Sequence, residues 1–267
     1  MTDMLNIALR AVKKVKTITL DGFNGSQEFE YKLDRSVVTD TDVRIESKIR
    51  NLLEQQCPGV PILGEEFGLT GSNKFETGWV IDPIDGTRAF LYGVPLFSTL
   101  IAFVENGEPI MGVISFPAIS TIVYASEGQG CWMSNNDVSL RRLIIQNGSP
   151  DTISNAVISA SGIHSSSYHL ADGAIPYNLN SLVKTARDFM FINDCYQHSM
   201  VASGRIHCAI DTLMKPWDSA AILPCIKEAG GDYCTLNGSR ENVMFGGGLV
   251  SACNSQLLDS VIASLNS

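Results

Sequence analysis

Two aspartates separated by a proline and an isoleucine, Asp82-Pro83-Ile84-Asp85, lie within Gly78-Trp79-Val80-Ile81-Asp82-Pro83-Ile84-Asp85-Gly86-Thr87. Trp79, Val80 and Ile81 read as a buried strand that stops at Asp82, where Pro83 cannot donate to a ladder and Gly86 permits a sharp turn. Such a turn can aim both carboxylates and the Ile84 carbonyl at one point, and hard divalent cations take oxygen ligands of this kind. Asp-Pro and Asp-Gly are also ordinary turn formers, so the tetrapeptide alone leaves a simple loop open. Further carboxylates mark other element ends: Gly64-Glu65-Glu66 follows the short apolar run Ile62-Leu63, and Lys215-Pro216-Trp217-Asp218 opens a helix. Thr39-Asp40-Thr41-Asp42 precedes another helix, where either threonine can cap and the aspartates suit the positive helix end.

These residues need a scaffold, and hydrophobic spacing sketches one. Leu5, Ala8, Leu9, Val12 and Val15 mark an amphipathic first helix ending in Lys13-Lys14-x-Lys16, before a turn at Asp21-Gly22. Glu28 to Leu33 reads as an edge strand, and Ile45, Ile49, Leu52 and Leu53 give the next helix its core face up to Pro58-Gly59. Apolar runs on either side of Asn106-Gly107 predict a hairpin, with further strands at Thr121 to Ala125 and Gly130 to Met133. The first half therefore reads as α+β with a large antiparallel sheet. The polar stretch from Gln146 to Asp151 divides the chain into 1–148 and 149–267. Beyond it, strands at Ala156 to Ala160, Phe189 to Ile192, Ile206 to Ile210 and Asp232 to Leu236 alternate with helices at Leu179 to Thr185, Cys195 to Ser203 and Trp217 to Ala229. Gly230-Gly231 caps the last of these, and a terminal helix starts from Asn254, so the second half reads as α/β.

The 267 residues carry a net charge of -9, which argues against nucleic acid or an anionic membrane surface as partner. No apolar run is long enough to span a bilayer and no secretory segment opens the chain, so the expected location is cytoplasmic. The seven cysteines are scattered, without zinc spacing, and read as reduced core residues. His164, His169, His198 and His207 lack the context of a nucleophilic triad and read as surface or core residues.

Taken together, Trp79 to Thr87, Lys215 to Ala221 and Glu228-Ala229-Gly230-Gly231 resemble the two signatures of the inositol monophosphatase family, magnesium-dependent and lithium-sensitive phosphomonoesterases. The resemblance extends to Lys32, Asp34 and Val38 to Asp42, and leans to the histidinol-phosphate phosphatase branch through Pro95 to Ala102, Asp194-Cys195-Tyr196 and Ala202 to Arg205. It implies a layered αβαβα sandwich of the inositol monophosphatase and fructose-1,6-bisphosphatase type, and two or three Mg2+ held by Glu65, Asp82, Asp85, Asp218 and the Ile84 carbonyl. Glu65 and Thr87 would orient the attacking water, with Asp42 beside the metals and Glu66 a neighbour.

Phosphate would lie on Asp85, Gly86, Thr87 and Asp218, while Arg187, Asp194, Tyr196 and Asp211 would contact the rest of a small phosphorylated metabolite. The resemblance also implies a homodimer. An ammonium-bearing substrate suits Asp194 and Asp211, which ranks L-histidinol phosphate first. Inositol monophosphate follows, then a nucleotide 3′-phosphate or sugar bisphosphate. Ile192-Asn193 in place of Gly-Gly, His198 in place of an aromatic and Ser115-Phe116 in place of Asp-Gln depart from the family pattern. A non-catalytic relative would have no physical reason to retain four converging carboxylates.

Overall fold

The computed structural model describes residues 3–25, 29–31, 37–70, 74–135, 139–146, 148–170 and 175–267. Lys32 and Asp34, and Asn147 of the expected boundary, lie outside them. The chain runs α1 (Asp3–Asn24), β1 (Phe29–Tyr31), β2 (Val37–Thr39), α2 (Asp40–Gln56), β3 (Ile62–Gly64), β4 (Gly68–Thr70), β5 (Gly78–Asp85) and α3 (Thr87–Leu91). A meander of β6 (Ser98–Glu105), β7 (Glu108–Phe116), β8 (Thr121–Ser126), β9 (Cys131–Asn135) and β10 (Ser139–Leu143) follows. The remainder is β11 (Val157–Ala160), α4 (Leu179–Thr185), β12 (Asp188–Phe191), α5 (Asp194–Ala202), β13 (Cys208–Asp211), α6 (Pro216–Ser219), α7 (Ile222–Ala229), β14 (Asp232–Cys234), β15 (Leu249–Ala252) and α8 (Ser255–Leu265).

The first sheet has the order β10-β9-β8-β7-β6-β5-β3-β4 and is antiparallel except where β3 meets β5. Its hairpin at Asn106-Gly107 is the expected one, with both residues at positive φ (52° and 84°) as a type I′ turn requires. Both faces are covered. Trp79, Ile81, Ile101, Phe103, Met111 and Val113 pack with α1 and α2, whereas Val80, Leu100, Ala102, Val104, Ile114 and Phe116 pack with α5, α7 and the second sheet. Alternation along each strand thus fills two cores, so the strands read as continuous apolar runs. The second sheet, β12-β11-β13-β15-β14, is parallel among its first three strands and antiparallel beyond. α4 and α8 pack on each other and on this sheet, completing an αβαβα layering.

Several sequence expectations need correction. α1 does not turn at Asp21-Gly22 but runs to Asn24, and its lysines lie in mid-helix. Gly22 is buried there and lets α2 close in, since a Cβ would stand 2.6 Å from Thr41 Oγ1. β5 continues through Pro83 to Asp85. The helix expected over Trp217 to Ala229 is broken into α6 and α7, because Pro224 has no N–H to return to the Ala220 carbonyl. β10 and β15 are strands that the periodicity does not announce.

The junction of α6 and α7 lies backbone to backbone on the first sheet: a Cβ at Gly112 of β7 would stand 2.1 Å from the Ala221 carbonyl oxygen. Gly112→Ala is therefore expected to destabilise the chain by about 1–3 kcal/mol through overpacking, read as a lowered midpoint in thermal melts.

Candidate metal centre

Along a regular strand, residues three apart face opposite sides, so Asp82 and Asp85 should diverge. The ladder resolves this. Asp82 pairs with Leu100 and Asp85 with Ser98, so β5 accommodates one residue more than β6 over this interval. The bulge takes up Pro83, whose missing N–H costs no ladder bond there, while the Pro83 carbonyl accepts from Thr99 Oγ1 at 2.9 Å. The extra residue restores both aspartates to one side. Gly86 then turns the chain at φ +80° and Thr87 begins α3, its hydroxyl donating to the Ile84 carbonyl at 3.0 Å.

Asp218 arrives from α6, where its Oδ2 accepts the Lys215 N–H at 2.7 Å. One carboxylate oxygen each from Asp82, Asp85 and Asp218 then lies within 4.8 Å of the others. Asp85 Oδ2 accepts from Ser98 Oγ at 3.0 Å and from the Cys195 N–H at 3.1 Å, whereas Asp82 Oδ1 is buried without a hydrogen-bond partner. Burial lifts the Asp85 carboxyl to about 6 despite those donors. Asp82 and Asp218 are also pushed well above the ordinary aspartate value, first by burial, then at Asp82 by the charges of Glu65 and Asp218, and at Asp218 by those of Asp85 and Glu65. Converging hard oxygens, an unpartnered buried Oδ1 and uncompensated negative charge together fit a divalent cation.

Glu65 follows β3 on the neighbouring strand, and its N–H donates to the Ile81 carbonyl at 3.3 Å. It stands outside the tight trio, while its charge acts on Asp42, Asp82 and Asp218. Asp42 is fully buried at the start of α2 in a capping box with Thr39, whose N–H donates to Oδ2 at 2.8 Å. Thr39, not Thr41, is the cap. Burial raises the Asp42 carboxyl to about 7, and its Oδ1 has no partner.

On the other flank, Asp211 ends β13 and accepts the Leu213 N–H at 3.3 Å. Burial and the charge of Asp194 lift it to about 7. Asp194 opens α5 at φ +54°, and burial with the Asp85 charge lifts it to about 8 against the pull of Arg88. It lies so close to Gly86 that a Cβ there would meet Asp194 Oδ2 at 2.9 Å. Tyr196 packs its ring edge-on against Phe116 at 5.2 Å. Arg187 is not brought to this cluster. It is exposed at the start of β12, with its charge acting on His207 at the start of β13, whereas Asp194 and Asp211 lie at the far ends of those strands.

A family model described as the inositol monophosphatase family matches residues 1–267. The chain belongs to the inositol monophosphatase family. A histidinol-phosphatase of Chlorobaculum parvum is 36% identical over 95% of this chain and 93% of its own length. An inositol monophosphatase of Dictyostelium discoideum is 30% identical over 88% and 86%. The solved structure of an IMPase from Thermotoga maritima superposes with a TM-score of 0.81 at 25% identity, covering 98% of this chain and 96% of that one. The protein is accordingly a phosphatase acting on phosphoric monoesters, and its αβαβα layers are those of its family.

Several members of the site escape a sequence reading. Ser98 and the Cys195 N–H hold Asp85, and only strand register and helix placement reveal them. Arg88 directly follows Thr87, and its charge acts on both Asp194 and His164. His164, expected as a surface or core residue, has its ring 6.1 Å from His169 and is tied by its carbonyl to the Thr212 hydroxyl at 2.9 Å, next to Asp211. His198 and His207 fit the expected structural reading: His198 is buried with Nδ1 2.7 Å from Ser251 Oγ, and His207 Nδ1 accepts the Val157 N–H at 2.9 Å. All seven cysteines are free thiols, and all but Cys57 are buried.

The raised carboxyls set a pH dependence. An aspartate in the unfolded chain titrates near 3.9, so folding favours the protonated form of Asp42, Asp85, Asp194 and Asp211. That stability is fully present below about pH 4 and is lost as pH climbs through about 6, 7 and 8. In EDTA the melting temperature is expected to fall steadily from pH 5 to about pH 8.5, and saturating Mg2+ is expected to flatten the curve. A flat curve in EDTA would contradict the electrostatics.

Proposed function

We propose that the chain is a magnesium-dependent phosphatase of L-histidinol phosphate, hydrolysing it to histidinol and phosphate. Asp82, Asp85, Asp218, Glu65 and the Ile84 carbonyl would hold the metal ions. Bound there, magnesium lowers the pKa of the attacking water and neutralises charge on the leaving oxygen. Glu65 and the Thr87 hydroxyl orient that water, and the N–H groups of Gly86 and Thr87 receive the phosphate at the turn into α3. Asp42 adds a further buried carboxyl on which the charges of Glu66 and Glu65 act.

The observation that carries the choice of substrate is the pair of carboxyls, half-buried Asp194 and buried Asp211, on the flank opposite Glu65. The charge of Asp194 acts on Asp211, and Asp194 adjoins the Gly86 turn. A substrate ammonium group gives them charge-assisted partners and relieves their mutual repulsion, whereas a polyol offers only hydroxyls. The histidinol-phosphatase relative supports the same ranking. The inositol monophosphatase relative keeps inositol monophosphate as the second reading.

Comparing kcat/KM for the two substrates at saturating magnesium tests the choice, because discrimination lives in that ratio. Asp194→Asn is expected to lower the value for histidinol phosphate by about 10- to 100-fold and to leave that for inositol phosphate within a few-fold, the loss of one charge-assisted contact. Equal or better use of inositol phosphate by the unaltered chain would overturn the assignment. Asp85→Asn keeps an acceptor for Ser98 and Cys195 while removing a metal-binding charge. It is expected to cut kcat by about 10³-fold or more, with a metal-free melting temperature at pH 8 no lower than that of the unaltered chain.

A further inference from the structure

Glu46 takes no part in the chemistry above, yet it is 0% exposed. It stands one turn beyond Asp42 on α2, with Arg50 one turn further, so the three share a face. Arg50 Nε donates to Glu46 Oε1 at 2.8 Å. The same carboxylate accepts two backbone N–H groups from the loop between β3 and β4: Glu66 to Oε2 at 2.7 Å and Phe67 to Oε1 at 3.3 Å. Arg50 reaches past it to the Gly68 carbonyl at 2.6 Å and the Ile62 carbonyl at 3.5 Å. Gly64 leaves room for the carboxylate, since a Cβ there would lie 2.1 Å from Oε1. The side chain is therefore built into the loop Glu65-Glu66-Phe67.

A buried Glu–Arg pair adds little stability over apolar residues of the same volume, so stability alone does not account for it. Its hydrogen bonds point to another role. They fix the N–H vectors of the two residues that follow Glu65, and Glu65 is the one carboxylate of the centre that stands on a loop rather than on a bulge or helix start. We infer that Glu46 is a positioning residue for the metal centre: it holds the β3–β4 loop so that Glu65 is presented beside Asp82 and Asp218 before a cation arrives. This rests on the reading of the cluster as a magnesium site. Without Glu46 the loop loses the two anchors at Glu66 and Phe67 and the cation has to complete its ordering, so affinity for the cation falls while turnover at saturation survives.

The test is a titration of the chain with MgCl2 alone, followed by calorimetry and by the magnesium-dependent rise in melting temperature, on unaltered protein, Glu46→Gln and Glu46→Asp. Glu46→Gln supplies one acceptor where two are needed; Glu46→Asp keeps the charge facing Arg50 and withdraws the carboxylate by one methylene. Both are expected to bind Mg2+ about tenfold more weakly, with kcat at saturating Mg2+ within about threefold of the unaltered chain. A merely structural Glu46 would lower the metal-free melting temperature and leave the affinity where it was. Folded variants with unchanged affinity would overturn the inference, and so would failure of both to fold. If the unaltered chain itself shows no Mg2+ binding, the magnesium reading falls with it; binding by the unaltered chain with unaltered variants removes the positioning role alone.

Discussion

Like charges held out of water repel, and the architecture of this protein turns on keeping Asp82, Asp85 and Asp218 within 4.8 Å of one another in spite of that. The means are local and repeated. Asp85, Asp211, Asp218 and Asp42 each accept a backbone N–H, from Cys195, Leu213, Lys215 and Thr39 respectively, at the start of a helix or the end of a strand. Such donors offset part of the burial penalty and fix each carboxylate's direction, but burial still leaves these groups well above the ordinary aspartate range. Asp82 has an Oδ1 without even that help. The remaining imbalance is one that a cation would correct.

Holding these charges together requires a scaffold that does not relax. β5 is buried along its whole length, with Trp79 and Ile81 in one core and Val80 in the other. A strand clamped on both faces cannot swing its aspartates apart. The bulge at Pro83 converts the alternation of a strand into convergence, and Ser98, directly opposite Asp85, holds the result. Cys195 brings α5 to the same oxygen, and the Ser98 hydroxyl lies 2.9 Å from the Cys195 thiol. Asp85 is therefore held jointly by a strand of the first sheet and by α5.

Much of this was legible in the sequence where a single residue type carries the signal. Asn106-Gly107 announces its hairpin, Gly230 ends α7 in the left-handed conformation, and the Asp-Pro-Ile-Asp-Gly-Thr and Trp-Asp segments name the carboxylates that meet. What stayed hidden depends on partners far along the chain. Pro83 read as a strand terminator because a bulge is defined by two strands and only one was in view. Gly22 read as a turn because its other property, absence of a side chain, matters only once Thr41 lies against it. The break before α7 lies with Pro224, inside a segment whose ends, Pro216 and Gly230-Gly231, carry the signals of a single helix. Arg88 and His164 carry no motif, and their proximity to Asp194 and Asp211 comes from tertiary placement alone.

Arg187 shows how chain direction decides what can reach a substrate. β11, β12 and β13 run parallel, so the residues entering them gather at one edge of the sheet and those leaving gather at the other. Arg187 and His207 enter; Asp194 and Asp211 leave, on the edge where β5 also delivers Asp82 and Asp85. Ligands of such sheets bind beyond the carboxyl ends of the strands, where helix starts and loop residues converge. A few residues of sequence separate Arg187 from Asp194, yet a four-residue strand rising about 3.3 Å per residue puts them on opposite edges. Among the described residues, Arg88, next to Thr87, is a cation whose charge does reach the site, opposing the rise in the Asp194 carboxyl. The exit edge thus gathers Asp194 and Asp211 beside Arg88, while the Asp82, Asp85 and Asp218 cluster is set by β5 and α6.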